Sequence, residues 1–422
     1  MSVLISHPSV APFVQQAARA ILEAGKLDRF ITTVRYDATS AGQRLVCGAA
    51  RILGFDLETL LRRREITELP AEKVESHPWT EIARLVSGRV DGGGRLTDMV
   101  WEHTEPAFDR MVARRVRRDH DAVYGFEYSS LATFTRAKQL GVSVAYDMPA
   151  PEPRFVQKLL DAEIARFPEL RTPYYRHTAK REERRIARRH AEWSAADIVI
   201  AASRFTRDSF GQAGLDVAKV RVVPYGAPPP APSGEALGGG GSDHEPLRLI
   251  WAGTFSIRKG AHYLLEAWRQ DDVSRHSRMK VFGAVSLPDR LLSPAPENIE
   301  FIGSVPRAEL MNHYRDSDVL IFPTLCDGFG MVVTEAWSQG LPVITTDRAG
   351  AADLMRPLGN GLLINAASVD SIRSALEWCV SHRRELRAMR ESALSTAAAW
   401  QWSDYRLMLA RVLRDEGMFG ST

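Results

Sequence analysis

The sequence predicts an α/β protein of two parallel-sheet domains joined by a hinge. Three observations lead there. Short apolar, β-branched runs alternate with longer amphipathic ones, the pattern of buried parallel strands covered by crossover helices. Near the middle, residues 224–246 read PYGAPPPAPSGEALGGGGSDHEP, a Pro, Gly and Ser run that buries no apolar area and reads as a linker. With 422 residues, 45% of them hydrophobic and 25% charged, the chain has globular composition and length for more than one domain.

In the first half, residues 3–5, 122–124, 142–146 and 198–201 are strand candidates. A helix over 12–24 opens with Pro12 at its first position. It carries Phe13, Val14, Ala17, Ala18, Ile21 and Leu22 at helical spacing and is closed by Gly25. Residues 163–193 form a long charged helix, or two, broken near Pro168 and Pro173. Its basic part, RHTAKREERRIARRHAEW, sets Lys180 with Glu183, Glu182 with Arg185 and Arg188 with Glu192 at helical spacing, which predicts a solvated face. The rival reading of the basic segment 176–190 is peripheral contact with anionic lipid or with an anionic acceptor. In the second half, strands at 247–251, 279–282, 299–302, 319–322 and 342–345 make a five-strand parallel series. A helix covers 263–269, and a terminal helical region with Trp400 and Trp402 lies beyond about 394. The expected division is 1–230, a linker at 231–246, 247–395, and a segment 396–422 packing back on the first domain.

Net charge is +3, too balanced for a dedicated nucleic-acid binder, although residues 1–235 hold 35 basic and 30 acidic groups and the remainder is slightly acidic. Cys47, Cys326 and Cys379 are odd in number and widely spaced, which supports neither a disulfide framework nor a zinc site. No apolar run reaches the ~20 residues of a spanning helix, and the start lacks a basic leader region, so a cytoplasmic location is expected, with membrane association through 176–190 as its variant.

Two turns carry the chemistry. AGTFSIRKG at 252–260 ends a strand at Gly253 and follows it with Arg258, Lys259 and a helix-opening glycine. A backbone approaching closely at glycine beside two cations suits a diphosphate. FPTLCDGFGMVVTEAWSQGLPV at 322–343 places Asp327, Gly328, Phe329 and Gly330 before a helix that bears Glu335. Glycines at a helix start present free N–H groups and the positive end of the dipole to an anion. The bland readings are a packing turn in the first case and an N-capping aspartate with an exposed glutamate in the second.

The ordered motifs GTFSIRKG, DGFGxxxxEA, GLPVI, DRAGAADLM and GNGLLI resemble the C-terminal domain of retaining nucleotide-sugar glycosyltransferases of family four. AADIVIAASRFTRDSF and KVRVVPYGAP resemble the end of their N-terminal domain. The likeness covers about 195–370. It implies the GT-B architecture, two Rossmann-like domains facing a central cleft, with a nucleotide-diphosphate sugar as donor and no other cofactor. It puts Asp327 and Glu335 in the family's pair of acids, Asp327 toward donor sugar hydroxyls and Glu335 toward the ribose. It also gives Lys259 the phosphate-binding role with Arg258 beside it, and places Gly253, Thr254, Gly328, Phe329, Gly330 and Val305 on the donor side. Thr254 stands where the family has an arginine, and aspartate replaces glutamate at Asp327. In the first domain SHPSVAP replaces the usual glycine-rich loop and puts His7 there, while VSVAYDMPAP offers Asp147 where a histidine is usual. Glu127 is a further acceptor or cleft candidate. For Glu127 and Asp147 a capping or surface role weighs equally with function, and His7 reads foremost as a turn residue.

The implied reaction is transfer of a hexose-type sugar to an unidentified acceptor hydroxyl with retention, in glycan, glycolipid or natural-product glycoside synthesis. No metal is implied: preorganised cations and a helix start stabilise the leaving diphosphate, and Asp347 and Asp353 are spaced too widely for a metal seat. The rivals are a GT-B-like sugar-nucleotide epimerase or phosphorylase and a noncatalytic sugar-nucleotide-binding protein. A nicotinamide dehydrogenase is disfavoured because no strand is followed by GxGxxG.

Overall fold

The structure is a computed structural model. It describes residues 2–420 apart from 38–39, 53–56, 63, 79–80, 82–83, 85–86, 89–90, 92–93, 235–244, 271, 295 and 297. Most of the expected linker therefore lies outside the described residues.

Seven strands form the first sheet: β1 (Ser2–Ser6), β2 (Leu27–Thr32), β3 (Val74–Ser76), β4 (His120–Phe126), β5 (Ser143–Met148), β6 (Ile198–Ala201) and β7 (Val220–Val222), in the order β3-β2-β1-β4-β5-β6-β7. Six form the second: β8 (Leu247–Ala252), β9 (Ser277–Phe282), β10 (Ile299–Gly303), β11 (Val319–Phe322), β12 (Val343–Thr346) and β13 (Gly361–Ile364), in the order β10-β9-β8-β11-β12-β13. Every pairing in both sheets is parallel. β6, β11 and β12 are buried on both faces, which is why they read as unbroken apolar runs. The strands that the apolar pattern did not reveal are β2, with Asp28 and Arg29 in it, and the short β3, β7 and β13; β3, β7 and β13 lie at sheet edges. β13 opens at Gly361, where a Cβ would lie 2.0 Å from the Val343 carbonyl oxygen.

The helices that position the site are α1 (Pro12–Glu23), α2 (Arg95–Ala113), α3 (Leu131–Leu140), α4 (Pro153–Arg166), α5 (Pro173–Ala195) and α6 (Arg204–Gln212) in the first half. In the second half they are α7 (Ala261–Arg269), α8 (Arg307–Arg315), α9 (Met331–Ser338), α10 (Val369–Ser381), α11 (Arg383–Ala399) and α12 (Trp402–Asp415). One continuous apolar core runs from β1 and α1 through Tyr225 to Phe329, Val333 and Trp337 of the second half. α4 and the turn after it reach the other way: Ile164 and Leu170 sit in the core of the second sheet, and the Glu163 carboxylate accepts from Tyr263 Oη at 2.9 Å and lies 3.0 Å from His262 Nε2. The chain therefore crosses between the sheets more than once. α12 packs on α1, where Arg406 pairs with Glu23 at 2.8 Å. Segment 224–227 is held to the start of α12 by the Ala227 N–H donating to the Trp400 carbonyl at 2.9 Å. Gly226 allows that approach, since a Cβ there would lie 2.3 Å from the Trp402 nitrogen.

The basic segment departs from a solvated face. α5 turns Arg181, Arg185 and Arg188 inward against acids at helical spacing on α2, and Arg189 inward against Glu127. Arg185 holds Asp98 at 2.8 Å, Arg181 holds Glu102 at 2.9 Å and Arg188 holds Asp109 at 2.6 Å. Arg188 also meets Glu192 at 3.4 Å, as its spacing implied, whereas Arg185 pairs with α2 rather than with Glu182. What remains outside is a stripe with Arg176, Lys180 and Arg184 beside Glu183. No helix among the described residues is long and apolar enough to cross a membrane.

Candidate active site

The two motif turns meet. β8 ends at Ala252, Gly253 takes φ 103°, and one tight turn at Ile257–Lys259 leads to Gly260, φ 76°, which caps α7. Phe255 anchors that turn between the rings of Trp251 at 4.7 Å and Phe301 at 5.5 Å. The Arg258 carbonyl accepts from the Leu325 N–H at 2.9 Å and from Thr324 Oγ1 at 3.2 Å. A Cβ on Gly260 would lie 2.0 Å from the Pro323 carbonyl oxygen, so only glycine lets the turn seat here. Lys259 is thereby carried over the Phe322 ring, 4.8 Å from its centroid, and into contact with the Asp327 carboxylate. Burial and the neighbouring Arg258 press the Lys259 ammonium's pKa well down. The Asp327 carboxylate opposes that by favouring the charged form.

Asp327 is fixed by its main chain, donating to the Arg348 carbonyl at 2.9 Å and accepting from the Gly350 N–H at 3.1 Å. Its Oδ1 accepts from the Phe329 N–H at 3.2 Å. Gly330, φ 82°, then caps α9 at the end of the Asp327 loop, so the helix start and the positive end of its dipole follow that loop directly. Gly328 seals this loop to the first domain. Its carbonyl accepts from Ser203 Oγ at 2.7 Å and Thr206 Oγ1 at 3.1 Å, and a Cβ would lie 1.8 Å from the Pro149 carbonyl oxygen.

Glu335 lies further along α9, largely buried, and meets Arg307 at 2.9 Å. Burial raises its pKa and Arg307 opposes the rise. Arg307 opens α8 two residues after Val305, which packs against the shared core. Gly253 and Thr254 are exposed, and no cation occupies position 254.

The first-domain candidates stand apart from this group. Asp147 lies near the end of β5, fully buried and accepting from Tyr124 Oη at 2.5 Å, and burial pushes its pKa up to about 7. It is held in the interior rather than presented to a cleft. Glu127 is taken by Arg189 at 2.5 Å. His7 accepts the Ser9 N–H on Nδ1 at 2.9 Å and packs edge-on to Phe126 at 4.9 Å, a turn-closing arrangement. Burial lowers its pKa to about 4. Sequence reasoning missed Arg307, Ser203, Thr206 and Pro149. Ser203 caps α6, a local signal, but nothing local says that its hydroxyl reaches Gly328. Among the described residues no three His, Cys, Asp or Glu side chains are grouped to hold a metal ion.

Two facing parallel-sheet domains, with glycine-bounded turns meeting at the strand ends, define a GT-B protein. Residues 238–396 match the family model described as Glycosyl transferases group 1. The D-inositol 3-phosphate glycosyltransferase of Nocardia farcinica is 29% identical over 142 residues, 31% of this chain and 32% of that one. The matched segments span less than half the length of such curated relatives. Among solved structures, the sucrose-phosphate synthase of Thermosynechococcus elongatus superposes with TM-score 0.65 at 15% identity, covering 98% of this chain and 99% of that one. The Anabaena HepE protein in complex with UDP-glucose superposes with TM-score 0.60 at 15% identity, covering 98% and 100%.

Proposed function

We propose that the protein is a retaining glycosyltransferase that moves a sugar from a nucleotide-diphosphate sugar to an acceptor hydroxyl. The observation that carries this reading is the contact of Lys259 with Asp327 at the glycine-bounded start of α9. The solved relative in complex with UDP-glucose has the same fold and supports the donor class. As the anomeric C–O bond breaks, its electron pair stays with the diphosphate. On this reading Lys259, Arg258 and the N–H groups of α9 stabilise that charge. Lys259 would then pass from Asp327 to the phosphates, leaving Asp327 to accept from sugar hydroxyls. Glu335, oriented by Arg307, would accept from the ribose diol. Gly328 against Pro149 and Ser203 brings the first domain, and with it the acceptor, to the same loop. Exclusion of water there favours transfer over hydrolysis.

The test is a screen of UDP-, GDP- and ADP-sugars for thermal stabilisation, followed by product analysis with and without acceptors. One donor class should raise the melting temperature, because a ligand at a hundred times its Kd adds about 2.7 kcal/mol. Stabilisation by none of them would overturn the donor assignment, and sugar interconversion with donor alone would favour an epimerase.

A further inference from the structure

We propose that the cavity between α4 and the loop after β12 is an anion site, which takes a small phosphate monoester and ties the two domains together behind the Asp327 loop. The cavity measures about 530 Å³ and is lined by Arg154, Phe155, Lys158, Leu159 and Glu163 of α4 and by Arg348 from the second domain, among others. That volume suits a sugar-phosphate-sized ligand. Three cations converge on it from both sides of the domain boundary, and none of their side chains has a hydrogen-bond or ion-pair partner among the described residues. The acid on the wall, Glu163, is already committed to His262 and Tyr263. Like charges facing each other across a boundary disfavour closure, and a doubly charged oxyanion between them reverses the sign. Phe155 and Leu159 offer apolar surface to the carbon skeleton of an ester.

Both walls lead to the candidate donor pocket, although neither Lys259, Asp327 nor Glu335 lines the cavity. The Arg348 carbonyl accepts from the Asp327 N–H at 2.9 Å, and Ala349 bridges Asp327 in the backbone. α4 also packs against the Ile257–Lys259 turn. An anion that orders Arg348 and α4 therefore steadies both turns of the donor site. The phosphate could belong to a separate effector or to a sugar-phosphate acceptor, since the recognising chemistry is shared.

Isothermal calorimetry with inorganic phosphate and with a hexose 6-phosphate, at constant ionic strength and without donor, tests this. Saturable binding is expected, weakened about tenfold in Arg348→Ala and in Lys158→Ala, the loss of one charge-assisted contact. Arg348→Lys should retain most of it, which separates charge from loop integrity. Lys259→Ala and the exposed-cation control Arg176→Ala should leave it unchanged. Absence of saturable binding, equal weakening in Arg176→Ala, or loss in Lys259→Ala with none in Arg348→Ala would overturn the proposal, the last by placing the anion in the donor pocket. Consumption of the hexose phosphate when donor is added marks it as acceptor, and its recovery unchanged marks it as effector; either supports the site. Because binding is read without turnover, its failure stays separate from failure of the transferase reading.

Discussion

On the proposed reading Lys259, in the turn before α7, and Glu335, on α9, divide labour at the candidate donor site. Lys259 is buried and touches Asp327, so its charge is available only where a compensating anion stands. Lys259→Ala should reduce kcat by about 10²- to 10³-fold, as loss of a preorganised charge does, with steady-state kinetics as the check. Glu335→Ala should instead raise the donor KM by about tenfold through a lost ribose hydrogen bond; unchanged kinetics in both variants would remove the site. Asp147 makes a different forecast. Its pKa in the folded protein is raised to about 7 by burial, above its value in an unfolded chain. The stability it contributes is therefore fully present below about pH 4 and is lost as pH rises toward 7. Asp147→Asn should stabilise the protein at pH 8, by an amount on the order of a few kcal/mol, and progressively less as pH falls, read from urea unfolding at several pH values. A constant difference across that range would refute it.

At the scale of elements, α5 and α2 form a zipper in which the acids at 98, 102 and 109 face the arginines at 185, 181 and 188. Removing one member of a buried pair strands its partner, so Arg185→Ala should cost about 3–5 kcal/mol. Arg184→Ala, on the exposed stripe, should stay within about 0.5 kcal/mol. Equal effects in denaturant titrations would mean that the arginines are not divided as described. The loop before α9 yields a second expectation. Gly328→Ala drives a methyl group into the Pro149 carbonyl, so the loop must withdraw from β5 and activity should fall with little loss in overall unfolding temperature. Full activity in that variant would show that the two domains need not meet there.

For the whole molecule, the shared core through Tyr225 and Phe329 and the crossing of α4 make the two sheets one cooperative body with a seam at the site. On the proposed reading donor binding spans that seam, so it should narrow amide-exchange differences between Pro149 and Gly328 as well as raise the melting temperature; protection confined to the second domain would show that no closure occurs. The charge stabilisation assigned to Lys259, Arg258 and α9 needs no divalent ion. Turnover should accordingly survive a chelator, and complete loss restored by magnesium would count against it.

The two turns of the second domain's candidate site were legible in the sequence because they are local: one follows a strand and the other is a glycine-bounded helix start after another strand, both at the strand ends of one parallel sheet, where ligands bind in such folds. Alternation of apolar runs likewise determined that the sheets are parallel and buried, and missed β2, with charges in it, and the short edge strands β3, β7 and β13. Tertiary structure alone decided which way Glu127 and Asp147 face, that Arg307 meets Glu335, and that half of the basic segment is interior. Those outcomes depend on partners from 20 to more than 80 residues away, and a charged side chain reads the same in sequence whether water or another helix neutralises it.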